Sequence, residues 1–380
     1  MGADGMSQPA GLETPGAMRT TYRLGDAALE VVTDDPGTGR WLSEFLRPWF
    51  AVEPSGRAGV VVQFTALAGA HAALQGRRTR ATERPVPVFG LDSAVVSLPG
   101  WFDAGGMRVL ADEEQGCFYR VRPGMVQIVA DPGNLRSRVG LLRVVRELAA
   151  LRALVRPELV DLHAAAFTIR GRAVLLVGGK RAGKTTLLVH ALTSGQAGLL
   201  ANDRVLVDAG SGRVQGVPTM VVVREGTVRT FPALSRGLPG WAALLHGGEA
   251  AAGVASPGRQ LVLSPAQLAG RTGAAVAAHA PLGAIVFPEI SAAAGGLSLE
   301  GAEAAEAAAR LRENLYGARS GGRERSILRE VAGVQEGSQG RPLDRLLAAV
   351  PLLVCHLAAD AYRKDASGWL RALPLSEAPA

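Results

Sequence analysis

Apolar residues recur along the chain with two different periods, and these divide it into a strand-rich first part and a mixed remainder. Short β-rich stretches predict strands at Ala28–Val32, Gly59–Phe64 and Met125–Val129. Leu141–Val155 instead repeats apolar residues every three or four positions, as an amphipathic helix does, and places Glu147 on its polar side. Residues 18–140 are therefore expected to form a small α+β module that ends near this helix.

After the helix, the pattern alternates between strands and helices. Strands are expected at Ala164–Ile169, Ala173–Val177, Leu199–Val207, Val217–Val223, Thr227–Phe231 and Leu282–Phe287. Helices are expected at Lys184–Ser194, at Leu299–Leu315 and around Leu343–Val350. This alternation predicts an α/β domain over residues 141–375.

Two stretches lack any period. Residues 1–17 are rich in Gly and Pro, which predicts a disordered tail. Gly237–Gly258 is rich in Gly and Ala, which predicts a mobile loop near the site.

The composition is that of a globular protein, with 48% hydrophobic and 20% charged residues. The net charge of +7 invites a nucleic-acid partner, but the arginines are scattered, which disfavours that interpretation. Only three of the 41 basic residues are lysines, and two of these, Lys180 and Lys184, lie in one glycine-rich stretch. This suggests that a compact ammonium is needed there.

The two cysteines, Cys117 and Cys355, are too few for a disulfide framework or a cysteine-based zinc site. No stretch has the pattern of a signal peptide, and the longest apolar tract, Leu346–Ala359, is too short to span a bilayer. A cytoplasmic protein without a membrane partner is therefore expected.

The stretch Gly178–Thr185 matches the P-loop pattern G-x-x-x-x-G-K-S/T at every fixed position. In this motif backbone N–H groups and a helix N-terminus bind phosphates, the lysine reaches the β- and γ-phosphates, and the hydroxyl after it binds Mg²⁺. A strand before and a helix after are also predicted, as the motif requires. The residues expected to bind ATP are Gly178, Gly179, Lys180, Arg181, Ala182, Gly183, Lys184, Thr185 and Thr186.

Phosphate chemistry at such a loop also needs an acid. Asp203 follows the P-loop helix on the next predicted strand, where a carboxylate can lie beside the γ-phosphate. The alternative is that Asp203 only makes a structural hydrogen bond at the end of a strand.

The segments Leu162–Ala166, Gly178–Thr185 and Ala201–Val205, in this order, resemble the HPr kinase/phosphorylase family. The resemblance is specific over Asp161–Asp208 and extends loosely to Gly283–Pro288. It implies a P-loop kinase domain of the HPr-kinase type with a mixed sheet, preceded here by the smaller α+β module. The family's catalytic residues carry over to Lys184, to Asp203 as the base for the acceptor hydroxyl, and to His163.

The chain departs from the family at two points. Asn202 replaces the first acid of the family's acid pair, and the family's Glu-Ile-Arg-Gly signature is missing, although Glu225 lies at a similar distance. The candidate metal ligands are therefore Thr185, Asn202, Asp203 and Glu225. Two interpretations stay open, a kinase that uses ATP and Mg²⁺ to phosphorylate a hydroxyl, and a nucleotide-binding regulatory protein without phosphotransfer.

The acceptor in the first case is a peptide, a protein or a small molecule. Canonical members of this family form hexamers, so the resemblance is also consistent with a homo-oligomer of this chain.

Overall fold

The computed structural model describes residues 16–54, 58–78, 83–90, 95–236, 244–245, 249–250, 260–290, 295–316, 326–334, 342–358, 361–362 and 366–376. These residues form two nine-stranded sheets, two short two-stranded ribbons and ten α-helices. The chain is therefore a mixed α/β protein, as the sequence predicts. Residues 1–15 of the expected tail, and the expected mobile loop apart from two dipeptides, lie outside the described residues.

The first sheet is built from the part of the chain before residue 131. Its strands are β1 (Met18–Leu24), β2 (Ala27–Thr33), β3 (Ala51–Pro54), β4 (Val61–Ala66), β5 (Arg84–Gly90), β6 (Val95–Phe102), β7 (Arg108–Asp112), β8 (Cys117–Arg122) and β9 (Met125–Ala130). They lie in the order β3-β1-β2-β4-β9-β8-β7-β6-β5. Only the β2–β4 and β4–β9 pairs are parallel.

Helix α1 (Pro36–Leu46) and β3 lie between the parallel strands β2 and β4, and helix α2 (Ala68–Gly76) begins the longer connection from β4 to β9, which also contains β5 to β8. The Asp-Pro-Gly cluster at residues 34–37 begins α1, because the Asp35 carboxylate accepts a hydrogen bond from the Gly37 N–H at 2.9 Å.

Helix α3 (Ser137–Ala153) follows the first sheet and packs on β1, β2 and β4. The apolar positions that predicted it are buried, including Leu141 and Leu148. The placement of Glu147 on an exposed polar side is wrong, since this residue is only 4% exposed. Its carboxylate pairs with the buried guanidinium of Arg204 at 2.7 Å, and helical period alone cannot show such a partner.

The second part of the chain contributes strands β10 (Leu159–Leu162), β11 (Ala164–Ile169), β12 (Arg172–Val177), β13 (Gly198–Ala201), β14 (Val205–Asp208), β15 (Arg213–Gly216), β16 (Val221–Arg224), β17 (Leu244–Leu245), β18 (Glu249–Ala250), β19 (Gln260–Leu263), β20 (His279–Ile290), β21 (Leu297–Gly301) and β22 (Leu352–Leu357). The second sheet runs β10-β14-β15-β20-β12-β11-β13, with β22 pairing on β20 and β21 on β22. It is mixed, with parallel pairs between β12 and β20 and between β20 and β22.

The remaining helices are α4 (Lys184–Leu192), α5 (Glu225–Thr230), α6 (Pro265–Thr272), α7 (Ala304–Glu313), α8 (Ile327–Ala332), α9 (Pro342–Ala349) and α10 (Ser367–Ala372). No helix in the described ranges is long and apolar enough to cross a membrane.

Five predicted elements differ from the structure. One is the strand expected at Val217–Val223, which begins only at Val221 and runs to Arg224 as β16. The strand expected at Leu199–Val207 is two strands, β13 and β14, separated by a bend at residues 202–204. The strand expected at Thr227–Phe231 is helix α5, in which Glu225 and Arg229 form an ion pair one turn apart.

The other two differences follow from strand pairing that the sequence does not show. The helix expected at Leu299–Leu315 starts as β21, since residues 297–301 pair with β22, and only Ala304–Glu313 is helical. The strand expected to end at Pro288 continues to Ile290 and pairs there with β22.

The two sheets share one hydrophobic core. Buried side chains of both, such as Tyr22 of the first sheet and Phe167 of the second, belong to a single cluster. A hydrogen bond also joins them, since the Trp49 indole N–H donates to the Leu200 carbonyl at 2.6 Å. The first part of the chain therefore supports the strand that leads into the bend.

Candidate functional site

Strand β11 lies between β12 and β13 and runs antiparallel to both. Ala164 pairs with Val177 on one side, and Ala166 pairs with Ala201 on the other. Because antiparallel neighbours begin and end at opposite edges, the start of β11 meets the ends of β12 and β13 at the same edge of the sheet.

Three segments emerge from this edge. They are His163 before β11, the glycine-rich loop (Gly178–Gly183) after β12, and the Asn202–Arg204 bend after β13. The structure therefore brings together the segments that carry the main sequence-predicted site residues.

The glycine-rich loop connects β12 directly to α4 and has an unusual backbone. Gly183, the residue before α4, has φ +98°, and a Cβ added there would lie 3.1 Å from Leu357 Cδ1. Arg181 also has a positive φ of 73°, which a non-glycine residue rarely adopts. Glycine adopts a positive φ readily, so Arg181 is the unusual residue of this loop, and such residues occur often at functional sites.

Lys184, the first residue of α4, is only 8% exposed. Its ammonium donates to the carbonyl of Gly178 and, at 3.2 Å, to that of Gly179. Lys180, in contrast, is exposed. The two lysines of the stretch thus have different environments, and only Lys184 places its charge inside the loop.

The residues after Lys184 lie on α4. Thr185 is half-buried at its first turn. The Thr186 hydroxyl lies 2.8 Å from the Thr227 hydroxyl of α5, so α5 packs beside the start of α4.

His163 and Asp203 form a hydrogen-bonded pair across the edge. Nε2 of His163 lies 3.0 Å from Oδ1 of Asp203. The backbone N–H of His163 donates to the Asn314 carbonyl at 2.8 Å, which fixes its main chain at the start of β11. The His163 side chain is 9% exposed and that of Asp203 is 45% exposed. The imidazole is therefore held inside the protein, and the carboxylate remains accessible to a substrate.

Asp203 is surrounded by positive charge. Burial raises the pKa of this carboxyl group, and the largest opposing effects are the hydrogen bond and the charge of His163. The nearby cations Lys184 and Arg146 act in the same direction, so the pKa of Asp203 lies below its ordinary value. The group is thus a carboxylate at neutral pH.

Asn202 precedes Asp203 in the bend and is 8% exposed. Its amide N–H₂ group donates to the Thr219 hydroxyl at 2.6 Å and to the Met220 carbonyl at 3.3 Å. Its oxygen Oδ1 is buried without a hydrogen-bond partner. A buried acceptor in this state is suited to a cation or to a donor from a ligand.

Glu225, the remaining candidate metal ligand, starts α5 and pairs with Arg229 at 2.5 Å. The described residues contain no group of three or more His, Cys, Asp or Glu side chains arranged to hold a metal ion.

Sequence reasoning missed the buried charges beneath the bend. The fully buried guanidinium of Arg204 pairs with Asp161 and Glu147, each at 2.7 Å, and lies 3.8 Å from the ring centre of Tyr316. A signal was present, because a charged residue such as Arg204 within an apolar stretch needs an opposite charge nearby. Helix α3 supplies it through Glu147 and strand β10 through Asp161.

A comparison with models of known protein families finds no match for the chain, and a comparison with curated proteins finds none either. The geometry of the sheet edge and the motifs are therefore the features that indicate a function for this chain.

Proposed function

We propose that this protein is an ATP- and Mg²⁺-dependent kinase of the HPr-kinase type that transfers the γ-phosphate to a hydroxyl group. The observation that carries the proposal is the meeting of the glycine-rich loop and the His163–Asp203 pair at one sheet edge. A phosphate-binding loop beside an accessible carboxylate is the arrangement that phosphoryl transfer to a hydroxyl requires.

The contacts with the nucleotide phosphates are assigned to the glycine-rich loop and the residues that follow it. Its backbone N–H groups and the N-terminus of α4 would bind the phosphates, and Lys184 would supply the positive charge there. The exposed residues Lys180 and Arg181 lie on the outer part of the loop. We assign them a smaller share of the binding energy.

Two of the candidate metal ligands have the chemistry that a magnesium ion prefers. The partnerless oxygen of Asn202 is a hard neutral ligand, and Thr185 supplies a hydroxyl at the start of α4. Mg²⁺ bound there would neutralise charge on the phosphates.

The protein's own residues act on the acceptor through Asp203. His163 holds one carboxylate oxygen, so the other can accept a hydrogen bond from the incoming hydroxyl. A carboxylate with a lowered pKa is a weak base, but phosphoryl transfer has a loose transition state and depends mainly on positioning. Asp203 would therefore orient the hydroxyl and take its proton late in the reaction.

One observation favours the second interpretation, a regulatory protein that binds the nucleotide without phosphotransfer. Asn202 supplies no charge, and Glu225 is engaged with Arg229. With only Asp203 left as an anionic metal ligand, nucleotide binding without turnover is chemically reasonable.

The proposal is tested by titrating Mg²⁺–ATP into wild-type protein and into Lys184→Ala, with Lys180→Ala as the matched control. We expect Lys184→Ala to lose at least about tenfold in ATP affinity, since it removes a charge-assisted contact with phosphate. Lys180→Ala should stay within a few-fold of wild type. Equal losses in both variants would refute the phosphate assignment.

Phosphotransfer is then followed from γ-labelled ATP to a library of serine-containing peptides and small alcohols. Transfer that Lys184→Ala abolishes supports the kinase, and ATP binding without any transfer supports the regulatory protein.

A further inference from the structure

Arg146 is a cation near the His163–Asp203 pair to which the proposed kinase reaction gives no role. It lies on α3, directly before Glu147. The carboxylate of Glu147 is buried against the guanidinium of Arg204, whereas the side chain of Arg146 is only half-buried. Two neighbouring charged residues of α3 thus differ in their surroundings, and the surroundings of Arg146 indicate a contact outside the core.

The segment after β15 runs along the bend at residues 202–204. The Val217 N–H donates to the carbonyl of the last residue of the bend at 3.0 Å. The side-chain amide of the first residue of the bend donates to the Met220 carbonyl at 3.3 Å. Pro218 lies between these two contacts on the segment, as Asp203 does on the bend. The backbone of Pro218 therefore faces that of Asp203.

Arg146 reaches this segment from α3. Its Nη1 donates to the Pro218 carbonyl at 3.4 Å, which is a long hydrogen bond. Its Nη2 donates to no group in the described ranges and is accessible to solvent. The guanidinium forms no ion pair with a carboxylate of the described residues, in contrast to its neighbour on α3, Arg143. One nitrogen of Arg146 is thus free to donate to a ligand.

Arg146 and Lys184 hold their charges at different parts of the site. Lys184 donates to the carbonyls of the glycine-rich loop, which is assigned to the nucleotide phosphates. Arg146 is held instead opposite Asp203, the residue assigned to the acceptor hydroxyl, and its charge acts on that carboxylate. A guanidinium without a carboxylate partner at this position suits an anion that arrives with the acceptor, because its planar donors pair well with carboxylates.

We propose that the acceptor is a hydroxy acid, whose hydroxyl contacts Asp203 and whose carboxylate is bound by Arg146. This rests on the proposed function, since it takes Asp203 as the residue that receives the hydroxyl. Backbone segments joined by hydrogen bonds lie about 5 Å apart, so the hydroxyl and the carboxylate are separated by only a few bonds. Arg146 is then the residue that selects an acid over the corresponding neutral alcohol.

N-Acetylserine, whose hydroxyl and carboxylate are a few bonds apart, is the probe for the test, and N-acetylserinamide is its neutral control. Each is titrated into wild-type protein, with and without Mg²⁺ and a non-hydrolysable ATP analogue, while the carboxyl-carbon NMR signal of Asp203 is followed. We expect N-acetylserine to shift this signal in a saturable way. The amide should bind at least about tenfold more weakly, because it forms no charge-assisted contact. Equal affinities for the acid and the amide would overturn the proposal without any variant.

Arg146→Gln should weaken the binding of N-acetylserine at least about tenfold and leave the affinities for N-acetylserinamide and ATP within a few-fold of wild type. Arg143→Gln is the matched control, since Arg143 lies one turn earlier on α3 and pairs at 3.6 Å with the exposed Glu114. It should change none of these affinities. Unchanged binding of N-acetylserine by Arg146→Gln would overturn the proposal. A loss of ATP affinity in Arg146→Gln would also overturn it, because it would assign Arg146 to the phosphates.

The same measurements distinguish a failure of this inference from a failure of the kinase. Binding of N-acetylserine needs no turnover, so selective binding of the acid by a protein that transfers no phosphate would support the carboxylate site and refute the kinase. Phosphate transfer to neutral alcohols and to hydroxy acids with equal kcat/KM would support the kinase and refute the hydroxy acid.

Discussion

At the residue scale, a substitution at Asp203 tests whether the His163–Asp203 pair is catalytic or only structural. Asp203→Asn keeps the shape of the side chain and removes its ability to take a proton. We expect ATP affinity within a few-fold of wild type, and phosphotransfer lower by about a hundred- to ten-thousand-fold. Calorimetry with ATP and initial rates with labelled ATP measure the two quantities.

Asp131→Asn, a change at another accessible aspartate that pairs with a histidine, is the control and should alter neither quantity. Loss of ATP and Mg²⁺ binding together in Asp203→Asn would make this residue a metal ligand. An unchanged rate would leave it as a structural hydrogen-bond partner.

The lowered pKa of Asp203 is a second property of the pair that can be measured. His163→Phe keeps a ring of similar size but donates no hydrogen bond and carries no charge, so the pKa of Asp203 should rise. Carboxyl-carbon NMR titration of both proteins checks this. The pKa of Asp103, which is lowered chiefly by its hydrogen bond with Arg120, should be the same in both. A pKa of Asp203 that does not rise would mean that Lys184 and Arg146 set it instead.

The same shift predicts how the pair affects stability with pH. A carboxyl group whose pKa is lower in the folded state stabilises the fold above its unfolded pKa, which is about 3.9. This stabilisation is lost as the pH falls through the folded value. The difference in stability between wild type and His163→Phe should accordingly shrink below about pH 4.

At the scale of elements, the Glu147–Arg204 contact joins α3 to the bend that carries Asp203. Glu147→Gln removes one of the two carboxylates that compensate a fully buried guanidinium. Removing one partner of a buried ion pair typically costs 3–5 kcal/mol, and the remaining Asp161 places the expected loss at about 3 kcal/mol. Urea denaturation measures this loss.

Glu306→Gln is the matched control for this change, because Glu306 pairs with Arg310 on α7 and is 53% exposed. A surface pair of this kind contributes less than about 1 kcal/mol. Equal losses in the two variants would show that the buried contact has no special role in stability.

Elements with local sequence signals could be predicted, whereas those set by distant strand pairing could not. The strand, loop and helix around Lys184 follow from local signals, namely an aliphatic run, two glycines and a helix-forming stretch. β21 could not be predicted, because residues 297–301 are extended only through pairing with β22, which lies more than fifty residues later. The bend at residues 202–204 could not be predicted for a similar reason, since the partners of the buried Arg204 lie on α3 and β10, earlier in the chain.

At the scale of the whole molecule, the sequence again predicts the residues of the candidate site that have a local motif. It does not predict those that distant parts of the chain contribute. His163, Asp203 and Lys184 were identified by motif and resemblance, and the structure places the first two in contact. Arg146, whose charge acts on Asp203, could not be identified, because it lies on a helix of an earlier part of the chain.

The parallel pairing of β12 with β20 has a consequence for synthesis on the ribosome. Leu175 pairs with Ile285, so the neighbour of β12 on that side is translated more than a hundred residues after it. Every residue of β12 is buried in the finished protein. A nascent chain therefore carries an aliphatic strand with one unpaired edge until β20 emerges, and such edges invite association with other chains. The interval before β20 emerges is therefore the stage of synthesis at which association through the free edge of β12 is most favoured.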